Sequence, residues 1–306
     1  MAVDLRTTWD RLPRRWRRLI LRAFPPVMVL GGGGARGFAH LGVLEVFERE
    51  GIALRGIAGT SMGAVIGTMV AAWGSAEATV ARWREALRRR LIPTVPPLRR
   101  LPEPHEHPLA QVARRIRDRI VVSMAVNRAT VLDGRALLQA FEFLVPSRDL
   151  TELETPVLVV ATDLETGDEV WLRQGALGLV LAASCAIPGL LPAVRVNDRL
   201  LIDGGVVAEV PVRAGRSLGR LVVAVDVSMA LPSLRRDGLV LDTMMRSQMM
   251  TSNLLRAHEL RRANLVIRPE VGHATWADWQ LFDELVDAGR RAANGLLGIS
   301  GPPAAG

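Results

Sequence analysis

Three short stretches of this chain carry residues that could do chemistry, and glycine frames each of them. The first is Gly31-Gly32-Gly33-Gly34-Ala35-Arg36-Gly37. Glycines there let backbone N–H groups turn outward and let another molecule come close. If a helix follows, its positive end favours negative charge at the same place. The second is Gly59-Thr60-Ser61-Met62-Gly63, where a serine between small residues suits a nucleophile on a sharp strand-to-helix turn. The bland alternative is a glycine-rich turn with a helix-capping serine. The third is Leu200-Leu201-Ile202-Asp203-Gly204-Gly205. A carboxylate leaving an apolar strand can be partly buried, which raises its pKa and makes it a better proton acceptor. Taken alone, Asp-Gly reads more simply as an Asx-type turn.

The elements around these stretches give each a position. Val27–Leu30 is a short β-branched apolar run ending at the four glycines, and residues 37–50 follow with helical spacing of Leu41, Leu44, Val46 and Phe47. A strand over 55–58 enters the serine turn, and a helix runs on through Trp73. Helices are expected near 76–90, 109–121 and 133–144, with a Pro/Arg/His-rich connector at about 90–108. Strands are expected at 156–161, 169–172, 199–202, 221–225 and 265–268, and helices near 175–184, 243–262 and 279–297. Strands alternating with helices imply an α/β fold, a three-layer α/β/α sandwich on a mainly parallel sheet. The domain expectation is a basic arm over 1–24, one domain over 25–295 and a loose tail over 296–306.

Composition narrows the chemistry. All 39 basic residues are arginine, which removes Schiff bases, amine nucleophiles and the P-loop lysine. A single cysteine, Cys185, excludes an internal disulfide and a multi-cysteine metal site, and fits a reducing compartment. No metal and no cofactor is expected. The net charge of +8 is local: residues 1–22 carry +5, residues 82–119 carry +7, and the remainder is acidic. Two arginine patches beside a neutral body suit an anionic membrane surface better than nucleic acid. In the arm, Leu5, Trp9, Leu12, Trp16, Leu19 and Ala23 recur every three or four residues, as in an interfacial helix. A helix docked on its own domain would show the same stripe. Arg22 and Pro25-Pro26 interrupt any secretory h-region, and the uncharged runs 56–76 and 176–194 read as buried core. The expected location is the cytoplasm, peripheral to the inner membrane face.

Two wider readings of the motifs are weaker. Gly32-x-Gly34-x-x-Gly37 satisfies a dinucleotide fingerprint, but no acidic residue stands at the end of the second strand, where Ala58-Gly59-Thr60 lies. A histidine triad would draw on His258 or His273, yet only one strand precedes the serine turn, where α/β-hydrolases place several. His40, His105 and His107 read as packing, capping or solvated residues.

Together the three stretches resemble the patatin-like phospholipase family, whose signatures are Gly-x-Gly-x-x-Gly, Gly-x-Ser-x-Gly and Asp-Gly-Ala/Gly. Residues 37–44, 161–167 and 183–189 extend the likeness, the second toward the bacterial branch similar to the neuropathy target esterase catalytic domain. The resemblance implies a patatin-like fold and a serine acyl-ester hydrolase acting on lipid or lysolipid esters, without cofactor. It implies Ser61 as nucleophile, Asp203 as its base with no histidine, and an oxyanion hole of N–H groups at Gly32, Gly33 and Gly34. Arg36, Gly37, Gly59, Gly63, Gly204 and Gly205 would support these, with Asp163 a lesser, structural candidate. A lipid transacylase, a nucleotide-binding protein and a catalytically silent lipid-binding module are the alternatives. Oligomeric state is not legible.

Overall fold

The computed structural model describes residues 8–92, 134–146, 148–231 and 240–299. Its centre is an eight-stranded sheet. Strands β1 (Val27–Leu30), β2 (Gly56–Thr60), β3 (Val157–Asp163), β7 (Val222–Val225) and β8 (Leu265–Ile267) form the parallel part. Strands β4 (Glu169–Leu172), β5 (Val194–Val196) and β6 (Arg199–Asp203) are antiparallel additions beside β3.

The central strands are buried at every position and mostly apolar because both faces are covered. Met28 and Leu30 of β1, Val159 of β3 and Val223 and Val225 of β7 enter one core. Val27, Val29, Leu158, Val160, Val222 and Ala224 alternate into a second core on the opposite face. The first face carries α2 (Ala39–Arg49), α3 (Met62–Trp73), α4 (Ala76–Arg88), α5 (Gly134–Leu144), α6 (Leu177–Ser184) and α9 (Phe282–Leu297). The second carries α7 (Val212–Leu218) and the end of α8 (Val240–Leu260), through Val212, Ala214 and Leu260. This is the expected three-layer sandwich.

Several boundaries differ from expectation for local reasons. The helix after the glycines begins as a 3-10 turn, Gly34–Phe38, before α2 takes over. β5 was not anticipated from its three residues. It forms because Asn197, at φ 53, supports a two-residue hairpin that pairs Val196 with Arg199. The start of the expected tail is helical, since α9 continues to Leu297 and the Ile299 N–H donates to Asn294 O at 2.8 Å, and residues 300–306 lie outside the described residues. The connector beyond residue 92 and the helix near 109–121 lie outside the described residues, as do residues 1–7.

The arm is docked. Its helix α1 (Arg14–Ala23) buries Leu21, and the preceding Trp9 is buried with its Nε1 donating to Leu296 O at 3.0 Å. No single described helix is long and apolar enough to cross a membrane. α3 and α4 qualify only as a pair bent by 118°, and the first eight residues of α3 are buried.

Candidate active site

Ser61 sits between the last residue of β2 and the first of α3, at φ 52 and ψ −126. A non-glycine residue rarely holds such a conformation, and it persists only where the surroundings over-determine it. The flanking glycines are needed for close approach. A Cβ on Gly59 would lie 2.5 Å from Ala64 N, and one on Gly63 would lie 2.2 Å from Leu30 O. The turn is sharp enough to bring the helix start onto the strand ends, which leaves room only for hydrogen.

β3 explains how a residue so far along the chain as Asp203 reaches Ser61. Residues Ile57 to Thr60 of β2 pair with Val157 to Val160 of β3. β4 pairs with Val159 to Thr162, overlapping that segment, so it occupies the other edge. β6 pairs antiparallel with Ala161 to Asp163, where β2 has ended. Since β4 holds one edge throughout, β2 and β6 must share the other, meeting end to end at Val160 and Ala161. Thr60 is opposite Val160 and Asp203 is opposite Ala161. One strand therefore serves as a jig for both ends.

Asp203 is tied down on all sides. Its N–H donates to Ala186 O at 2.9 Å, and its C=O accepts from Thr162 Oγ1 at 3.0 Å. The carboxylate accepts the Gly205 N–H on Oδ1 at 2.7 Å, and the Ser61 hydroxyl faces it closely enough to favour its charged form. Burial pushes this carboxyl up to about 6, and the negative charge of Glu209 adds to the rise. The Gly205 N–H and the Ser61 hydroxyl oppose it. Cys185 also faces Ser61, and burial followed by the Asp203 charge pushes its thiol well up, so it stays protonated.

The glycine loop departs from expectation at one residue. The Gly32 N–H donates to Glu209 O at 2.8 Å, so it is not available as an oxyanion donor. Gly32 instead lies against Ser61, its Cβ position 3.5 Å from Ser61 Cβ. The Gly33 and Gly34 N–H groups have no backbone acceptor among the described residues. Gly34 needs to be glycine twice over, at φ +58 and with a Cβ position 2.3 Å from Trp276 O. Arg36 is buried beneath the loop, with Nε donating to Val227 O at 2.9 Å and Nη1 facing Met229 Sδ at 3.6 Å. That is a brace.

No described histidine replaces Asp203. His40 is fully buried, its Nε2 2.8 Å from Gly31 O, and burial lowers it to about 4, so it is neutral. His258 is exposed on α8, and His273 lies 2.8 Å from Glu284. His105 and His107 lie outside the described residues. Asp163 is a turn former, accepting the Glu165 and Thr166 N–H groups. Among the described residues no cluster of His, Cys, Asp and Glu could hold a metal ion.

An open cavity of about 690 Å³ begins at Ser61 and Gly34. Its walls are apolar, including Val65, Trp83, Phe141, Leu144, Leu191 and Trp279. Phe38, Trp83, Trp279 and Phe282 interlock behind it, with Phe38 edge-on to Trp83 at 4.9 Å and Phe282 at 4.6 Å. Sequence reading named Ser61 and Asp203 but missed these walls and the contribution of α6, whose Ser184 and Cys185 both reach Ser61. The only available signal was the apolar Ala-Ser-Cys-Ala-Ile-Pro-Gly stretch.

A strained serine at a strand-to-helix elbow, a buried aspartate facing it and Gly33 and Gly34 amides without a backbone acceptor among the described residues are the parts that nucleophilic acyl transfer requires. Residues 28–215 match the family model described as patatin-like phospholipase, and the chain belongs to that family. It is 35% identical over 184 residues to an NTE family protein of Mycobacterium tuberculosis, covering 60% of this chain and 43% of that one. It is 29% identical over 227 residues to patatin-like phospholipase domain-containing protein 6 of Mus musculus, covering 73% of this chain and 15% of that one. The chain thus spans less than half the length of these relatives. Among solved structures, VipD from Legionella pneumophila is similar with a TM-score of 0.49 and 16% identity, covering 90% of this chain and 67% of that one.

Proposed function

We propose that this protein hydrolyses acyl esters of lipids or lysolipids through a Ser61–Asp203 dyad. The observation that carries the proposal is that β3 brings the Ser61 hydroxyl and the buried Asp203 carboxylate face to face at the mouth of an apolar cavity. Ser61 Oγ attacks the ester carbonyl while its proton passes to the Asp203 carboxylate. The carbonyl oxygen becomes an oxyanion facing the Gly33 and Gly34 N–H groups, each worth ~3 kcal/mol in sites of this kind. As the tetrahedral species collapses, the leaving alcohol takes the proton back from Asp203. Water then attacks the acyl-enzyme with Asp203 as base, and the carboxylic acid departs as Ser61 regains its proton. The cavity holds the acyl chain, since burying each methylene is worth about 0.8 kcal/mol.

Lipid contact is proposed for the N-terminal helix as well. One side of α1 is docked, but Trp16, Leu19 and Phe24 remain 48%, 49% and 66% exposed among its arginines. That combination suits an anionic bilayer. The helix is fastened to Glu50, just beyond the end of α2 remote from the glycine loop, so it acts as a tether rather than a substrate gate.

Labelling with a fluorophosphonate probe tests the mechanism. Labelling that appears in the parent and disappears in Ser61→Ala is the expected result, with ester turnover lost in parallel. Undiminished turnover in purified Ser61→Ala rejects it. Product analysis with an alcohol acceptor present separates hydrolysis from transacylation.

A further inference from the structure

Ser184 is the last residue of α6 and is fully buried. Its hydroxyl makes two hydrogen bonds in opposite senses. It accepts the backbone N–H of Ser61 at 2.9 Å and donates to the backbone C=O of Val160 at 2.6 Å. Val160 is the last β3 residue paired with β2, opposite Thr60. The next residue along β2 would be Ser61, where the chain turns away into α3. At that point the Ser184 hydroxyl spans from the amide of one strand's continuation to the carbonyl of the other.

We infer that Ser184 is a positioning residue for the nucleophile, its hydroxyl standing in for the missing rung of the sheet and holding Ser61 in its elbow conformation. The inference rests on Ser61 being the nucleophile, as proposed above. Three features of the structure support it. Ser61 has an unfavourable backbone conformation that needs an external restraint. Its amide has no room to close onto β3 directly, because β3 beyond Val160 belongs to β6. The hydroxyl has one hydrogen, given to Val160, so its lone pairs are left to receive the Ser61 N–H with a defined direction. The restraint also aligns the dyad indirectly, since Val160 and Ala161 set the ends of β2 and β6. Releasing it shifts Oγ relative to Asp203 and the glycine amides, and displacements of about 1 Å in such sites cost on the order of 100-fold in rate.

The test compares Ser184→Ala and Ser184→Thr with the parent on a soluble acyl ester, at a temperature where circular dichroism shows all three folded. Ser184→Ala is expected to lower kcat by about 10- to 100-fold with KM changed less than about twofold, and to slow fluorophosphonate labelling by the same factor. Ser184→Thr, which keeps the hydroxyl, is expected to stay within about threefold of the parent. A folded Ser184→Ala with parental kcat overturns the inference. So does an equal loss in both variants accompanied by equal falls in Tm, which would mark a packing role. If Ser184→Ala does not fold, Ser184→Cys takes its place: its weak, longer bonds should lower kcat about tenfold, and parental kcat overturns the inference. Ser61→Ala measured alongside keeps the failures apart. Activity in Ser61→Ala removes the nucleophile, whereas a dead Ser61→Ala with parental Ser184→Ala removes only the rung.

Discussion

The two ends of α2 are held by different physics. At its first turn, neutral His40 is sealed beneath the glycine loop and bonded to Gly31 O. The elements above it are joined by buried hydrogen bonds among Ser61, Ser184, Val160, Thr162 and Asp203. At its last turn the fastenings are partly exposed arginine hydrogen bonds, one of them an ion pair: Arg18 to the Glu50 carboxylate at 3.0 Å, Arg22 Nε to Glu50 O at 2.6 Å, and Arg49 to Asn294 Oδ1 at 3.0 Å. Buried bonds are barely screened by salt and fail abruptly when one partner goes. Exposed pairs are weak, salt-sensitive and open to competition from other anions. The reacting end is thus built to be fixed, and the opposite end to be negotiable.

Substitutions can break that contrast at either end. The largest effect is expected at the reacting pair, where Ser61→Ala or Asp203→Asn should each lower kcat/KM by about 10³- to 10⁴-fold with the fold retained, checked by ester turnover and circular dichroism.

Asp203→Asn should also sharpen the contrast through stability. The carboxyl is raised from 3.8 to about 6 by burial, so its protonated form is the one the fold prefers. Its stabilising contribution is full below about pH 4 and is lost as pH rises through about 6. Above that, the buried carboxylate costs the folded state on the order of 3 kcal/mol. Asp203→Asn should therefore melt higher than the parent at pH 8, with the difference vanishing near pH 4. A thermal-melt series over pH measures this.

The same carboxyl sets the acid limb of activity. Asp203 must be ionised to accept the Ser61 proton, so kcat/KM should fall about tenfold per pH unit below about 6 and level off above it. A limb centred near 4 would mean that the working carboxylate is not buried.

The smallest effect on chemistry belongs to the negotiable end. Replacing Trp16, Leu19 and Phe24 together by serine should leave turnover of a soluble ester within about twofold, because these side chains are exposed and remote from Ser61. Co-flotation with anionic vesicles should drop several-fold, and raised salt should reproduce part of that loss in the parent. Unchanged flotation rejects the tether.

How much of this was legible in the chain follows from how local each feature is. The elbow and the glycine loop are contiguous motifs, so their residues announce themselves, and alternating strands and helices gave the layers. Asp203, at the end of an apolar strand, read alone as an Asx-type turn, and only the resemblance gave it a role. The pairing that brings it to Ser61 depends on β3 sharing one edge between two strands, which no local pattern encodes. Gly32 was counted as a donor because its acceptor, Glu209 O, comes from a distant loop. Ser184 looked like part of an apolar helix, since a buried hydroxyl declares its purpose only through its neighbours. The arm's stripe fitted both a docked and a membrane-facing helix, and the structure shows a docked face with an exposed margin.

The shared edge of β3 has a consequence for variation in this architecture. Because Ser61 and Asp203 take their coordinates from adjacent residues of β3, the chain between them that lies outside β3 and α6 is free to change without disturbing their separation. Insertions or deletions between α4 and α5 can reshape the wall that greets the acyl chain while the proton still travels the same distance. Selectivity and reactivity are in that sense mechanically uncoupled, and swapping the α5 region between relatives should alter which esters are cleaved more than how fast the best one is.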